Sequence, residues 1–421
     1  MLGKETETAP NSIHCDSSSN KSRPLFMRYL SMNSPVNHPL NASGSHLVSR
    51  AREIASLARE HAVAAENARV LAREVVDAIG AADLFRLAVP AVYGGPEADP
   101  VTYVDAIAAL SEGDAAAGWY AAVSSTTSVL AWYLQPEAVR EIYVANPASL
   151  TGGSFAPTGR GSWVDGRLRV DEGRWPWGSC GLQADWMTGG VLDGDRLFII
   201  FLPRGDFEPH DTWHAFGLKA TASNDFSVRK GAIVPGHRIL EFGKGFVPAA
   251  DSALARFPGF VYIAAAYAAV LLGNARGAIH ELVDLARHKV PTGSEATLAE
   301  TPLTQLTVAQ SEARLLAASA FVRESLASIW ETIQAGDPAT VDQRTTARLA
   351  ISHAAQEASK VVDALYTLGG ATSTFLANPL QKRLRDAHVA TQHLLVSEKF
   401  FLIHGQQRLG FAIDEKVIAT L

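Results

Sequence analysis

After Pro258 the chain keeps a helical period almost to its end, in four runs at about 260–288, 302–335, 342–368 and 386–408. Runs of about 30 residues make rods about 45 Å long at 1.5 Å per residue, the scale of an extended four-helix bundle. Gly336-Asp337-Pro338 and Gly369-Gly370 punctuate them as helix stops. A chain built this way must bury one stripe of every rod against its neighbours.

The first third is also helical. Ile54, Leu57, His61, Ala64, Ala68, Leu71, Val75 and Ala78 recur at steps of three and four, with Arg52, Glu53, Arg59, Glu60, Arg69, Arg73 and Glu74 between them. This spacing predicts one helix with those residues on its core face. Asp99-Pro100 supplies an N-cap and a first-turn proline for a second helix through Leu110, and 118–134 reads as a third. At Thr151 glycine, proline, aromatic and β-branched residues replace the alanine-rich pattern. Asp165-Gly166 and Asp193-Gly194 then mark hairpins. The expected fold class is α+β, with an N-terminal helical domain at 46–150, a central antiparallel β domain at 151–250 and a C-terminal four-helix bundle at 251–421. Residues 1–45 are rich in Ser, Asn and Pro and lack the apolar core of a secretory signal. They read as a disordered N-terminal extension, with Met27 and Met32 as candidate downstream starts.

Charge and cysteine usage exclude several roles. With 37 basic against 43 acidic side chains and a net charge of −6, the chain lacks the basic excess of a nucleic-acid binder. Cys15 and Cys180 alone make neither a disulfide framework nor a thiolate metal site, which suits a reducing cytoplasm. Residues 260–272 are too few to span a bilayer and are followed by Asn274 and Arg276. Residues 115–134 are interrupted by a hydroxyl block at 124–128. Both read as buried helices of a soluble protein, not membrane spans.

G-x-S-x-G, H-E-x-x-H, Walker A and strand-linked G-x-G-x-x-G signatures are absent. The glycine-rich run at 152–161 lacks the Lys-Ser/Thr ending of a phosphate cradle and reads as loop. His210 and His214, with Glu208 nearby, share no helical face, so no metal site is expected. Four patches remain. Arg174-Trp175-Pro176-Trp177-Gly178-Ser179 offers two indoles and a hydroxyl to a flat heterocycle, or simply core tryptophans. The loop from Trp213 to Ser223 is dense in ligand-capable groups. Arg287-His288-Lys289 places cations at a helix C-terminus, where they offset the helix dipole or hold a phosphate. Arg385-Asp386-Ala387-His388-Val389-Ala390-Thr391-Gln392-His393 carries two histidines on an expected helix.

In this order, with the W-x-S segment at Trp177, the G-L-K-x-T-x-S loop at Gly217, Gly369-Gly370 and Arg385-Asp386-Ala387, the chain resembles the acyl-CoA dehydrogenase superfamily over about 46–410. The resemblance implies a flavin between the β domain and the C-terminal bundle, and a homotetramer whose neighbouring subunit completes the site. Trp177, Gly178 and Ser179 would meet the flavin ring near N5, with Trp213 and Ser223 along the cofactor. Arg287 and Lys289 would hold its phosphate, with Gly369 and Gly370 also in the cofactor site.

Dehydrogenases of this family need a Glu to take the α-proton of an acyl thioester. The usual seat is Leu394 here, preceded by His393, and the alternative seat lies in a stretch with no acidic residue between Asp251 and Glu281. With both seats empty and His393 in place, the chain resembles the two-component flavin monooxygenases of the superfamily. Their pattern implies reduced FMN (or FAD) from a separate NAD(P)H:flavin reductase, O2, a flavin C4a-hydroperoxide, and an aromatic, polycyclic or heteroatom-bearing substrate. His393 and Ser179 are then the catalytic candidates, His393 because an imidazole titrates near neutrality. Trp119 and Ser124 are candidates for the substrate pocket, and Tyr120, Trp132, Tyr133 and Phe257 for its apolar walls. Gln183 stands where aromatic hydroxylases often carry His, so the substrate need not be a phenol. The alternatives are a dehydrogenase with a displaced base and a non-catalytic flavin-binding protein.

Overall fold

The computed structural model of the chain describes residues 42–229, 231–242, 248, 251–418 and 421. Most of the expected N-terminal extension lies outside the described residues, but Ala42 already opens helix α1 (Ala42–Ala68). This helix buries Val48, Ala51, Ile54, Ala58 and Ala65. The period from Ile54 to Ala78 does not form one helix, and Ala64 and Ala68 are exposed. Arg69 turns the chain at φ 56°, and α2 begins afresh at Arg73–Ala81. The Arg69 guanidinium pairs with Asp211 at 2.8 Å and donates to the Trp213 carbonyl, so a tertiary contact overrides the local period. Helix α3 (Pro100–Gly113) is capped by Asp99 and α4 (Ala115–Ser128) by Asp114, each carboxylate accepting from first-turn amides.

The central region holds β1 (Thr151–Val164), β2 (Arg167–Glu172), β3 (Arg174–Gly178), β4 (Trp186–Asp193), β5 (Arg196–Pro203), β6 (Phe207–Pro209), β7 (Asn224–Val228), β8 (Ile233–Pro235) and β9 (Ile239–Phe242). They form one sheet of order β8-β2-β1-β4-β5-β9 and another of order β3-β7-β6. The main sheet is mixed, not antiparallel, because β1 runs parallel to β4. After β2 the chain crosses to the smaller sheet as β3 and returns on the far side of β1. Asp165 and Gly166, at φ 49° and 74°, make the tight turn from β1 to β2. The glycine-rich run 152–161 is strand rather than loop. Gly159 in it and Gly189 on β4 leave room for the buried Trp175 indole, since a Cβ on Gly189 would stand 2.6 Å from that ring.

Three long rods follow: α5 (Gly259–His288), α6 (Pro302–Gln334) and α7 (Val341–Gly369). The fourth is split into α8 (Pro379–Ala390), a 3-10 turn at Leu394–Val396, and α9 (Lys399–Arg408). The expected single helix at 386–408 therefore starts earlier and breaks in the middle. Asn378 caps α8 through Leu380 N at 3.0 Å, with Pro379 in the first turn, the same device as Asp99-Pro100. Both apolar stretches are interior. Every residue of α4 is buried, and 83% of the apolar window of α5, the one described helix long and apolar enough to cross a membrane, lies inside the molecule.

Candidate active site

Two irregular loops meet beside the smaller sheet. Trp175 belongs to the core: its Nε1 donates to the Gly190 carbonyl at 2.8 Å and its ring stacks on Phe226. A bulge between Trp175 and Gly178 turns Trp177 outward, leaving it 68% exposed at φ 58°. Gly178 lies so close to Phe226 that a Cβ would stand 2.4 Å from the ring. Cys180, Leu218 and Ala222 also take positive φ, so left-handed backbone concentrates in these two loops. Each such residue costs about 1–2 kcal/mol, and strain of this kind persists where a site over-determines it. Here Cys180 N donates to Thr221 O, and Leu218 N donates to the Asp386 carboxylate at 2.6 Å. Asp386 is held in turn by buried Lys382, which lies 2.6 Å from both Asp386 and Asp114. Burial opposes that ammonium, but the two carboxylates outweigh it and raise its pKa. This charge chain runs from the junction of α3 and α4 to the 217–223 loop. The Cys180 thiol is buried, and burial pushes its pKa up, away from nucleophile chemistry.

A row of hydroxyls joins the loops. Trp119 Nε1 donates to Ser179 Oγ at 3.1 Å; Ser179 Oγ lies 2.7 Å from Ser223 Oγ, and Ser223 Oγ 2.7 Å from Thr221 Oγ1. Thr221 Oγ1 donates to the Leu218 carbonyl at 2.8 Å, which also accepts from Trp213 Nε1 at 3.0 Å. The Trp119 ring contacts Tyr267, and Tyr267 stacks on His393 with ring centroids 3.8 Å apart. The edge of His393 approaches Trp119 at 5.8 Å. The structure thus brings together Trp119, Ser179, Trp213, Ser223 and His393, with Trp177 and Gly178 adjoining Ser179 along β3.

His393 is not helical. It follows α8 in the turn, and its Nδ1 accepts from Leu395 N at 3.3 Å, while His388 remains on the helix and pairs with Asp363. Beneath the turn lies Arg348 of α7, fully buried, donating to Leu395 O at 2.9 Å and Phe260 O at 3.0 Å with its guanidinium over Phe400. Burial first, and the Arg348 charge second, push the His393 pKa down to about 4. The imidazole is therefore neutral at physiological pH, a hydrogen-bonding group instead of the near-neutral acid its residue type suggests. At the usual seat of a catalytic carboxylate Leu394 is exposed, and Glu281, the first acidic residue after the acid-free stretch that holds the other seat, is paired with Arg383 at 2.8 Å far along α5.

A second cluster gathers at the opposite ends of α5 and α7. Lys289 Nζ donates to Gly369 O at 2.6 Å, and Gly370 sits at φ 60° with Lys289 Nζ 3.6 Å from where its Cβ would be. The Ser373 hydroxyl beside Gly369 is buried without a hydrogen-bond partner, and Arg287 is exposed nearby in sequence. A cation, a left-handed glycine and an orphan hydroxyl suit a phosphate. The exposed Trp177 indole beside the hydroxyl row suits a flat ring, so the residues present fit a flavin. Ser124 is not part of either group: its Oγ accepts from Thr151 N at 3.1 Å and seals α4 to β1. Gln183 is engaged at both ends, by Tyr120 OH and Leu71 O. His210 bonds Ser227 and His214 bonds Arg69, so the two do not converge. Tyr267 and Arg348 carry the arrangement without a motif that singles them out, whereas Thr221 lies inside the G-L-K-x-T-x-S loop and Asp386 inside the R-D-A segment.

Residues 47–146 match the acyl-CoA dehydrogenase N-terminal domain and residues 265–398 the C-terminal domain. The chain is 33% identical to the indole-3-acetate monooxygenase of Pseudomonas putida over 81% of its own length and 88% of that protein's. It is 28% identical to the flavin-dependent monooxygenase oxygenase subunit HsaA of Rhodococcus jostii, over 86% of this chain and 97% of that one. The crystal structure of 3-HSA hydroxylase from Rhodococcus sp. RHA1 superposes with a TM-score of 0.80 at 24% identity, covering 88% of this chain and 98% of the other. The chain belongs to the acyl-CoA dehydrogenase superfamily and, within it, to the flavin-dependent monooxygenases that act as oxygenase components.

Proposed function

We propose that the protein hydroxylates an aromatic heterocycle of the indole class, whose ring carries no phenolic proton, using O2 and reduced FMN, or FAD, delivered by a separate NAD(P)H:flavin reductase, as a cytoplasmic homotetramer. The observation that carries this reading is the carboxylate-free group of His393, Tyr267, Trp119, Ser179 and Ser223. Likeness to an indole-3-acetate monooxygenase supports the substrate class. So does chemistry: with Gln183 in fixed hydrogen bonds and the His393 pKa lowered to about 4, neither residue offers a positive charge to a phenolate.

Reduced flavin, when bound, supplies the electrons that activate O2. The chain's own residues do the rest. Trp177, Gly178, Ser179, Trp213 and Ser223 bind and orient the ring, while Arg287 and Lys289 with Gly369 and Gly370 hold phosphate. Tyr267 of the ring cluster lies near the start of α5 and Lys289 of the phosphate cluster just past its end, which suits a site completed by a neighbouring subunit. Trp119 and Tyr267 wall the site against water, and His393 offers a fixed hydrogen bond at the reacting end. The test supplies the purified protein with reductase, NADH, flavin and either indole-3-acetate or a matched phenol, and compares product formed with O2 consumed. Coupled turnover on the indole is expected, with His393→Ala lowering product per O2 about tenfold or more. Turnover confined to the phenol, or reduction of bound flavin by an acyl-CoA, would contradict the reading.

A further inference from the structure

The hydroxyl row has only one direction in which all of its protons find acceptors. At one end Trp119 Nε1 is a donor only, so Ser179 Oγ must accept from it. At the other end Thr221 Oγ1 lies 2.8 Å from Leu218 O, a carbonyl that can only accept. Without a proton between them, two lone-pair oxygens at that separation repel, so the Thr221 proton points to Leu218. Thr221 Oγ1 must then accept from Ser223, and Ser223 Oγ from Ser179. All three side chains are buried, at 6%, 0% and 5% exposure for Ser179, Thr221 and Ser223, so water does not readily substitute for a partner. Ser179 has therefore committed its proton inward. What remains on its oxygen for anything bound beside Trp177 is a lone pair.

We propose that Thr221 and Ser223 are specificity-determining residues which fix Ser179 as a hydrogen-bond acceptor and thereby make the site prefer reduced over oxidised flavin. This rests on the flavin placement given under the proposed function, with the ring N5 beside Ser179. Reduced flavin carries N5–H and donates to that lone pair, whereas oxidised flavin presents a lone pair of its own. An oxygenase fed by a separate reductase gains from such a preference, because it captures the reduced cofactor and releases the oxidised one. Thr221 need not touch the flavin for this and acts only through the proton of Ser179; Ser223, which also lies along the cofactor, passes that proton's direction on.

Anaerobic titration tests it, with FMN and photoreduced FMN as ligands for the wild type, Thr221→Val, Thr221→Ser, Ser223→Ala and Ser179→Ala. The wild type is expected to bind reduced FMN more tightly. Thr221→Val and Ser223→Ala free the Ser179 proton to turn outward, so the ratio of oxidised to reduced Kd should fall about tenfold, while Thr221→Ser restores it. The midpoint potential of bound FMN should fall in step, by about 30 mV for a tenfold change in a two-electron couple. An unchanged ratio and potential in both Thr221→Val and Ser223→Ala, while Ser179→Ala alters them, would overturn the proposal and leave the flavin placement intact. No response in Ser179→Ala either would instead remove the placement on which it stands. Should Thr221→Val fail to fold, Thr221→Ala, at a residue with no proposed flavin contact, decides in its place.

Discussion

Arg348 shows how one buried residue sets the chemistry of another. Among the described residues its guanidinium has no carboxylate partner; it meets two carbonyl oxygens and the Phe400 face, and its Nε is unbonded. An uncompensated buried cation is costly to keep. In return it ties the His393 turn to the first turn of α5 and helps keep the imidazole uncharged. Arg348→Met should therefore raise the His393 pKa towards 6.5, read by NMR of ring-labelled histidine with His393→Ala as the assignment control. An unmoved titration would show that Arg348 does not act on His393. Stability carries the same signature. Because the folded pKa of about 4 lies below 6.5, the unfolded chain binds the proton first, and stability is lost as pH falls from 6.5 towards 4. Thermal melts across that window should fall more steeply for the wild type than for His393→Ala. The candidate residues Ser179, Ser223 and His393 were legible because their loops carry recognisable order and spacing. Arg348 and Tyr267 were not, since each sits within a long helix where periodicity reports burial and says nothing of partners.

The elements that position the site are locked by close backbone contact and by buried charge. Gly217 presses on α8, where a Cβ would stand 2.2 Å from Arg385 O, and the next amide bonds Asp386. Gly217→Ala should push the 217–223 loop off the helix, costing about 1–3 kcal/mol. Asp386→Ala should cost more, about 3–5 kcal/mol, because it leaves Lys382 with half of its compensation in the interior. Denaturant melts of both variants check the order; equal stabilities would mean the charge chain is not what holds the loop. The long rods α5, α6 and α7 were readable to within a residue or two from their period and stops. The fourth was not, because no glycine or proline marks a stop in 391–398 while His393 caps a new turn there. Likewise the parallel pairing of β1 with β4 depends on a strand crossing between sheets, which hairpin signals cannot report.

At the scale of the molecule, the proposed ring and phosphate clusters lie towards opposite ends of α5. A site completed across subunits predicts that flavin binding and assembly weaken together on dilution, followed by sedimentation with reduced FMN present. Retention of full affinity by a monomer would exclude shared sites. Lys289→Ala should weaken reduced-flavin binding tenfold or more, as expected for loss of a charge-assisted bond of about 1.5–3 kcal/mol. The fold class was legible as helix, sheet and rods, since composition changes at Thr151 and again after Pro258. The central claim is that this superfamily scaffold, lacking a carboxylate at either seat of the dehydrogenase base, transfers oxygen. The most direct measurement is turnover under 18O2 with indole-3-acetate, reduced FMN and the purified protein, followed by mass spectrometry of the product. One 18O atom per product molecule is predicted; product whose new oxygen comes from unlabelled water, or a desaturated product with no new oxygen, would contradict it.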